Sequence, residues 1–226
     1  MLGVRARVFV PKHTPAIKRN GIAASGAEVI VTDCAGYDET ELLARRVAEE
    51  EGVPFVSPYD DPDVAAGNGG TVGREIFDAV TGVDAVVCPV GGGGLIAGLA
   101  AARDAWSPKT GLIGVNAEAS PGMLRSVEEG RALDTLEPVE TLAEGLEGGV
   151  CPSTFAAVLA AKVEMKAVDE ASIADAMRFA KTMLGEVVEG SGAVGVAWAR
   201  AHADSVPGTG NIVVVVTGRN VDRIPD

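Results

Sequence analysis

Short apolar, β-branched runs alternate along nearly the whole chain with segments that carry helix-start and helix-stop signals. Residues 4–10 form such a run ending at Pro11, and Thr14-Pro15 supplies an N-cap and a first-turn proline for a helix toward Ser25, closed by Gly26. Residues 28–32 read as the next strand, and Asp38 with Glu41 reads as a capping-box start for a helix that runs to Gly52. The spacing then predicts helices at about 71–80, 95–106 and 123–129, strands at 85–88 and 112–115, and Ala-rich helices at roughly 169–184 and 192–203. Alternating units of this size place successive strands side by side and parallel, so the expected architecture is α/β with doubly wound parallel sheets. The last strand, 212–216, is apolar at every position, which predicts burial on both faces in the centre of a sheet.

The stretch Ser57-Pro58-Tyr59-Asp60-Asp61-Pro62-Asp63 is turn-forming almost throughout and marks the domain boundary, dividing the chain into 1–60 and 61–226. No internal repeat or low-complexity tract is present.

Composition removes several classes of function. A net charge of −13 leaves no basic face for nucleic acid or an anionic membrane. No apolar run reaches the roughly 18 residues of a membrane span, and Met1 leads into strand-like sequence rather than a signal region, so a cytoplasmic protein is expected. Cys34, Cys88 and Cys151 are odd in number and far apart, fitting structural thiols rather than a disulfide framework or a zinc site. With only His13 and His202, histidine metal sites and Ser-His-Asp chemistry lack material. Reactivity is then expected to come from a cofactor.

Residues 86–98, Val-Val-Cys-Pro-Val-Gly-Gly-Gly-Gly-Leu-Ile-Ala-Gly, run from a buried strand through four glycines into a helix. Glycines let the backbone approach an anion and adopt positive φ, and the amides of the first helical turn point at it, so the loop predicts a phosphate site. A tight strand-to-helix turn is the structural alternative. Gly92-x-Gly94-x-x-Ala97, with Glu118 some way on, also fits a dinucleotide fingerprint, which keeps an NAD-binding Rossmann-type protein open. That fingerprint normally sits on the first strand of its domain, and here several units precede it.

Other segments resemble, in order, those of fold-type II pyridoxal-phosphate enzymes, especially the branch of threonine dehydratase, serine dehydratase and serine racemase. Lys18 with Gly26-Ala27-Glu28-Val29 resembles "P-x-x-x-P-x-x-K" leading to "G-A-x-V"; Pro58-Tyr59-Asp60-Asp61-Pro62 resembles "P-F-D-D-P". Ala66-Gly67-Asn68-Gly69-Gly70-Thr71 resembles "A-G-Q-G-T" with Asn for Gln and one extra glycine. Thr141-Leu142-Ala143-Glu144-Gly145 resembles "T-I-A-[DE]-G", Glu189-Gly190-Ser191-Gly192-Ala193 resembles "E-P-[ST]-[AG]-[AG]", and Thr217-Gly218-Arg219-Asn220-Val221-Asp222 resembles "S-G-G-N-[IV]-D". The resemblance implies a tryptophan-synthase-beta-like fold of two domains with the cofactor cleft between them. It implies pyridoxal 5'-phosphate held by Gly91, Gly92, Gly93 and Gly94, with Leu95 opening the helix behind. Gly145 would lie beside the ring, Glu189 near it, and Thr217 would face the pyridine nitrogen. For Glu189 a helix-start acid favoured by the dipole is the structural alternative, and for Thr217 a β-branched strand end. The implied activity is dehydration and deamination of L-threonine or L-serine, by a homodimer or higher homo-oligomer.

In that family the Schiff-base lysine sits in "[ST]-x-K-x-R-G", followed by an "S-x-G-N-[HF]" substrate loop. Neither motif occurs in these 226 residues, and Lys12, Lys18, Lys109, Lys162, Lys166 and Lys181 all read as solvated surface charges. Met1-Leu2-Gly3-Val4 resembles the end of the helix after that loop, so the fold is expected to lack its first part and to present no catalytic lysine. A non-catalytic binding module is therefore also open. No metal site is expected either: Asn116 and Gly122 stand where racemase-like members carry acidic ligands.

Overall fold

The computed structural model describes residues 3–137, 139–208, 210–221, 224 and 225. Two compact units are present. Residues up to Val56, with Asn220 and Val221, form one, and Ser57–Arg219 forms the other.

In the first unit β1 (Arg7–Val10), α1 (Ala16–Ala24), β2 (Glu28–Val31) and α2 (Tyr37–Glu51) follow in order, and the two strands pair parallel from Arg7 opposite Glu28 to Val10 opposite Val31. Both helix starts differ from the reading above. Pro15 takes the N-cap position of α1 and no side chain caps it, so Thr14 does not have the expected role. In α2 the N-cap is Gly36, which puts Glu39 rather than Glu41 at the third helical position. Glu39 Oε2 accepts the amide of Ala35 at 3.0 Å, while Glu41 pairs instead with Arg45 at 2.6 Å. The expected capping box does not form: Gly36 has no side chain to cap with, and Glu39 reaches the amide of Ala35, the residue before the N-cap. Gly52 ends α2 in the left-handed conformation at φ 66°, as a C-terminal glycine should.

The second unit opens with α3 (Pro62–Ala65), where Asp61 accepts the amides of Asp63 and Val64 and Pro62 occupies the first turn. A π-helical turn, Ala66–Gly70, joins it without a break to α4 (Thr71–Ala79). The glycine that is extra relative to the family motif is thus taken up as a widened helical turn, not a loop. Then follow β3 (Ala85–Pro89), α5 (Gly94–Trp106), β4 (Gly111–Ala117), α6 (Gly122–Glu129), α7 (Pro152–Ala160), β5 (Glu164–Val168), α8 (Glu170–Phe179), α9 (Gly190–His202) and β6 (Ile212–Val214).

The four strands pair parallel in the order β5-β4-β3-β6. The chain steps outward from β3 through β4 to β5 and then returns to the far side of β3. Right-handed crossovers accordingly put α5 to α7 on one face of the sheet and α8 and α9 on the other. The reversal lies between β3 and β6, and in open α/β sheets ligands bind at such a point, beyond the carboxyl ends of the strands. All five residues of β3 are buried, and Val86, Cys88, Val90, Ile96, Leu99, Met123 and Val150 belong to the core beneath α5 and α6.

Two expectations need correction. β6 is half-buried and last in the order of the described strands, not central. Helix α7 and strand β5 fall in residues 152–168, to which the sequence spacing assigns no element. No helix among the described residues is long and apolar enough to cross a membrane.

Candidate functional site

The four-glycine loop leaves β3 at its carboxyl end and enters α5 through Gly93, whose φ of 96° is left-handed. No side chain caps α5, so the amides of its first turn are not occupied by a capping group. Two side chains from elsewhere hold the loop's carbonyls. Asn116, fully buried at the end of β4, donates from Nδ2 to Val90 O at 2.7 Å and accepts the Leu124 amide at 3.0 Å. Thr154, on α7, donates its hydroxyl to Gly92 O at 2.7 Å.

The chain packs closely on every glycine of the loop. A methyl group at Gly91 would lie 3.1 Å from Leu146 Cα, and one at Gly93 would lie 2.6 Å from Met123 Cε and 2.9 Å from Thr154 Cβ. At Gly92 and Gly94 it would meet Tyr59 at 2.6 and 2.7 Å. Tyr59 is placed there by a turn in which Ser57 Oγ accepts the Asp60 amide at 3.0 Å, and Ser153 Oγ donates to Asp60 at 2.5 Å. The glycines are thus required by the protein's own packing as well as by any ligand. The case for an anion rests on the uncapped amides and on the two carbonyls held aside, and these fit the phosphate end of a cofactor. Leu95 lies in the first turn of α5, one residue after its start at Gly94.

Gly145 sits in a single 3-10 turn, Glu144–Leu146. This turn is anchored at two points. Upstream, Thr141 Oγ1 donates to Glu170 Oε1 at 2.5 Å and the Leu142 amide donates to Oε2 at 2.8 Å. At its centre the Gly145 amide donates to Ser191 Oγ at 2.8 Å. Leu146 carries the turn against Gly91, so Gly145 and the glycine loop are neighbours.

Glu189 occupies the N-cap position of α9 without a side-chain cap hydrogen bond, so its carboxylate stands at the helix start, where the dipole favours an acid. Its amide donates to Gly218 O at 3.0 Å, and its carboxylate packs on Gly218, where a methyl group would clash with Oε1. Thr217 follows β6 and is exposed; its Oγ1 lies 3.2 Å from where a methyl on Gly192 would be. Gly91 to Leu95, Gly145, Glu189 and Thr217 therefore come together at the carboxyl ends of β3 and β6. Asp222, the end of the last motif, lies outside the described residues.

No lysine lies on the segments that form this cluster. Lys12, Lys109, Lys162 and Lys181 are exposed, but Lys18 and Lys166 are half-buried, and Lys166 pairs with Glu164 at 2.6 Å. Among the described residues no group of three or more His, Cys, Asp or Glu could hold a metal ion. Asn116, at the position considered for a metal ligand, has both of its polar atoms engaged inside the protein.

A profile of the family described as pyridoxal-phosphate dependent enzyme matches residues 1–218. The chain belongs to this family. It is 38% identical over 226 residues to the L-threonine ammonia-lyase of Thermotoga maritima, covering 98% of this chain and 54% of that protein. It is 36% identical to a catabolic L-threonine dehydratase of Staphylococcus aureus, with coverage of 98% and 64%. Among solved structures, the processed form of threonine deaminase isoform 2 from Solanum lycopersicum superposes with a TM-score of 0.85 at 33% identity, covering 96% of this chain and 63% of that one. Maize serine racemase superposes with a TM-score of 0.87 at 29% identity, with coverage of 97% and 67%. The chain thus spans about half to two thirds of the length of these curated relatives. Family membership decides against the dinucleotide reading of the glycine loop. The family's cofactor is pyridoxal phosphate, and Glu118, which that reading needed, is exposed and gives its amide to Val168 O at 2.9 Å.

The sequence reading missed Thr154, Glu170 and Ser191 as parts of the site. Ser191 stood inside a recognised motif. Thr154 and Glu170 had only weak local signals, since one follows Pro152 in the first turn of α7 and the other opens α8.

Proposed function

We propose that these residues form the cofactor-holding part of a lyase that converts L-threonine or L-serine to a 2-oxo acid and ammonia. The observation that carries this is the convergence of the glycine loop, Gly145, Glu189 and Thr217 at the switch point between β3 and β6. Bound there, pyridoxal phosphate supplies a conjugated ring that takes up the electron pair released when the substrate loses its Cα proton. The amides of Gly91 to Leu95 hold the phosphate. Gly145 would lie beside the ring, and Glu189 would border it from the start of α9. Thr217 would face the pyridine nitrogen, and as a neutral hydroxyl it could share a hydrogen bond there but could not stabilise a positive charge as a carboxylate would. A restrained electron sink suits elimination, in which the hydroxyl at Cβ leaves and carries the charge away. The names of the relatives, threonine ammonia-lyase and threonine dehydratase, support the same reaction.

The absence of "[ST]-x-K-x-R-G" from the 226 residues favours a second statement about this chain by itself: it binds the cofactor reversibly and turns nothing over. Equilibrium dialysis with pyridoxal phosphate, followed by borohydride treatment, tests this, and a stable adduct at one defined lysine would refute it. The lyase reading is tested by joining to this chain the lysine-bearing segment of a threonine ammonia-lyase relative and measuring 2-oxo acid release. A fusion that folds and binds the cofactor but releases no 2-oxo acid from either substrate refutes the proposed reaction.

A further inference from the structure

We propose that Thr154 is a positioning residue for the phosphate cradle, acting through one peptide group, and this rests on the reading of the glycine loop as an anion site. Thr154 is 4% exposed and belongs to the first turn of α7, yet the nearer acceptor of its hydroxyl is Gly92 O at 2.7 Å, with Cys151 O in its own helix at 3.1 Å. A peptide unit is planar and trans, so its carbonyl and the following N–H point in opposite directions. Drawing the Gly92 carbonyl toward α7 therefore turns the Gly93 amide the other way, out of the protein's packing and toward the uncapped start of α5.

This matters because the peptide lies between two glycines. Glycine populates positive and negative φ about equally, so a Gly-Gly peptide is easily flipped. The flipped form would present the Gly92 carbonyl oxygen to the anion in place of an N–H, exchanging attraction for repulsion. Gly93 already holds φ at 96°, and Thr154 Cβ and Oγ1 pack where a Gly93 side chain would be, so the hydroxyl-bearing carbon itself holds one orientation. Asn116 does the same two peptides earlier, taking Val90 O at 2.7 Å and so setting the Gly91 amide. Alternate carbonyls of the loop are thus fastened by side chains from two different elements, and the alternate amides are left facing a ligand.

The test uses inorganic phosphate on the whole 226-residue chain, with amide chemical shifts read by NMR and affinity by titration. In the unaltered protein the Gly93 amide is expected to shift on phosphate addition together with Gly91, Gly94 and Leu95. Thr154→Val keeps the shape and removes the hydroxyl; it is expected to lose affinity roughly tenfold, the equivalent of one hydrogen bond, and to lose the Gly93 response. Thr154→Ser is expected to keep both. A folded Thr154→Val protein that binds phosphate like the unaltered chain overturns the inference. If Thr154→Val does not fold, the unaltered protein decides. A Gly93 amide that stays unmoved while its neighbours shift overturns the role of Thr154 but leaves the cradle standing, whereas no response in any of the four amides overturns the cradle as well.

Discussion

The amide of Gly145 donates to the hydroxyl of Ser191 at 2.8 Å, tying the turn beside the glycine loop to the first turn of α9. Ser191 is buried, and Ser191→Ala removes the anchor at the centre of that turn. We expect a loss of about 1 kcal/mol of stability. For a chain of this size that is a fall of about 2–4 °C in Tm, measurable by calorimetry. Pyridoxal phosphate binding should weaken in parallel, because the loosened turn carries Leu146 away from Gly91.

Gly190 stands where the family motif has proline, and the structure gives the reason. A methyl group at Gly190 would lie 2.1 Å from Leu142 O and 2.5 Å from Leu142 C, so the backbone of the upstream segment occupies the place of the ring. Proline is otherwise favourable in the first turn of a helix. Here Gly190→Pro should destabilise by about 1–3 kcal/mol, the range for overpacking, and Gly190→Ala should do likewise. A higher Tm for the proline variant would show that Leu142 yields without cost.

Cys88 lies on β3 with no exposure, and burial pushes its thiol pKa far up. Alkylation needs the thiolate, so Cys88 should stay unmodified by iodoacetamide near neutral pH in the folded protein and react only after unfolding. Mass spectrometry of the digested protein distinguishes it from Cys34 and Cys151, both of which are half-buried.

The Asp175 carboxylate on α8 is held below its ordinary range, chiefly by a hydrogen bond from Arg200 on α9 and also by Arg178. A depressed pKa means that the charged form is favoured in the folded state. The contribution is complete above the unfolded carboxylate value near 4 and is lost as pH falls through the lower folded value. Asp175→Asn should therefore lower Tm at neutral pH, with the difference shrinking below about pH 4. Both partners are largely exposed, so the effect should be small and should fade in high salt.

The alternating strand and helix blocks from β3 to α6 are readable from the sequence, and β3, α5, β4 and α6 fall within a residue or two of their expected places. Helix α7 is not, because Pro-Ser-Thr-Phe-Ala-Ala-Val-Leu-Ala has no clear polar stripe to mark its period, and β5 interrupts its apolar residues with Glu164 and Lys166. The wrong place for β6 has a similar origin, since a strand without alternation looks the same whether neighbours cover both sides or only part of each. The site is legible wherever a motif is contiguous. Thr154 acts on a carbonyl 62 residues away and Glu170 on groups 28 and 29 residues away, and such pairings arise only from the crossing of elements in space. The four glycines are recognisable as a contiguous run, whereas Tyr59, Leu146 and Met123, which pack against them, can be named only from the fold.

The wide turn at Ala66–Gly70 has a consequence for how the chain tolerates changes in length. Adding one residue to a regular α-helix rotates everything beyond it by about 100°, since a turn takes roughly 3.6 residues. Such a rotation would swing Val72, Ile76 and Phe77 away from the core against which they pack. The π turn cancels that phase error locally, with Thr71 Oγ1 3.0 Å from both Gly67 O and Asn68 O at its end. A difference that requires a gap in an alignment then leaves the azimuth of α4 unchanged, and shortening the turn by one glycine should return a regular helix whose buried face is the same.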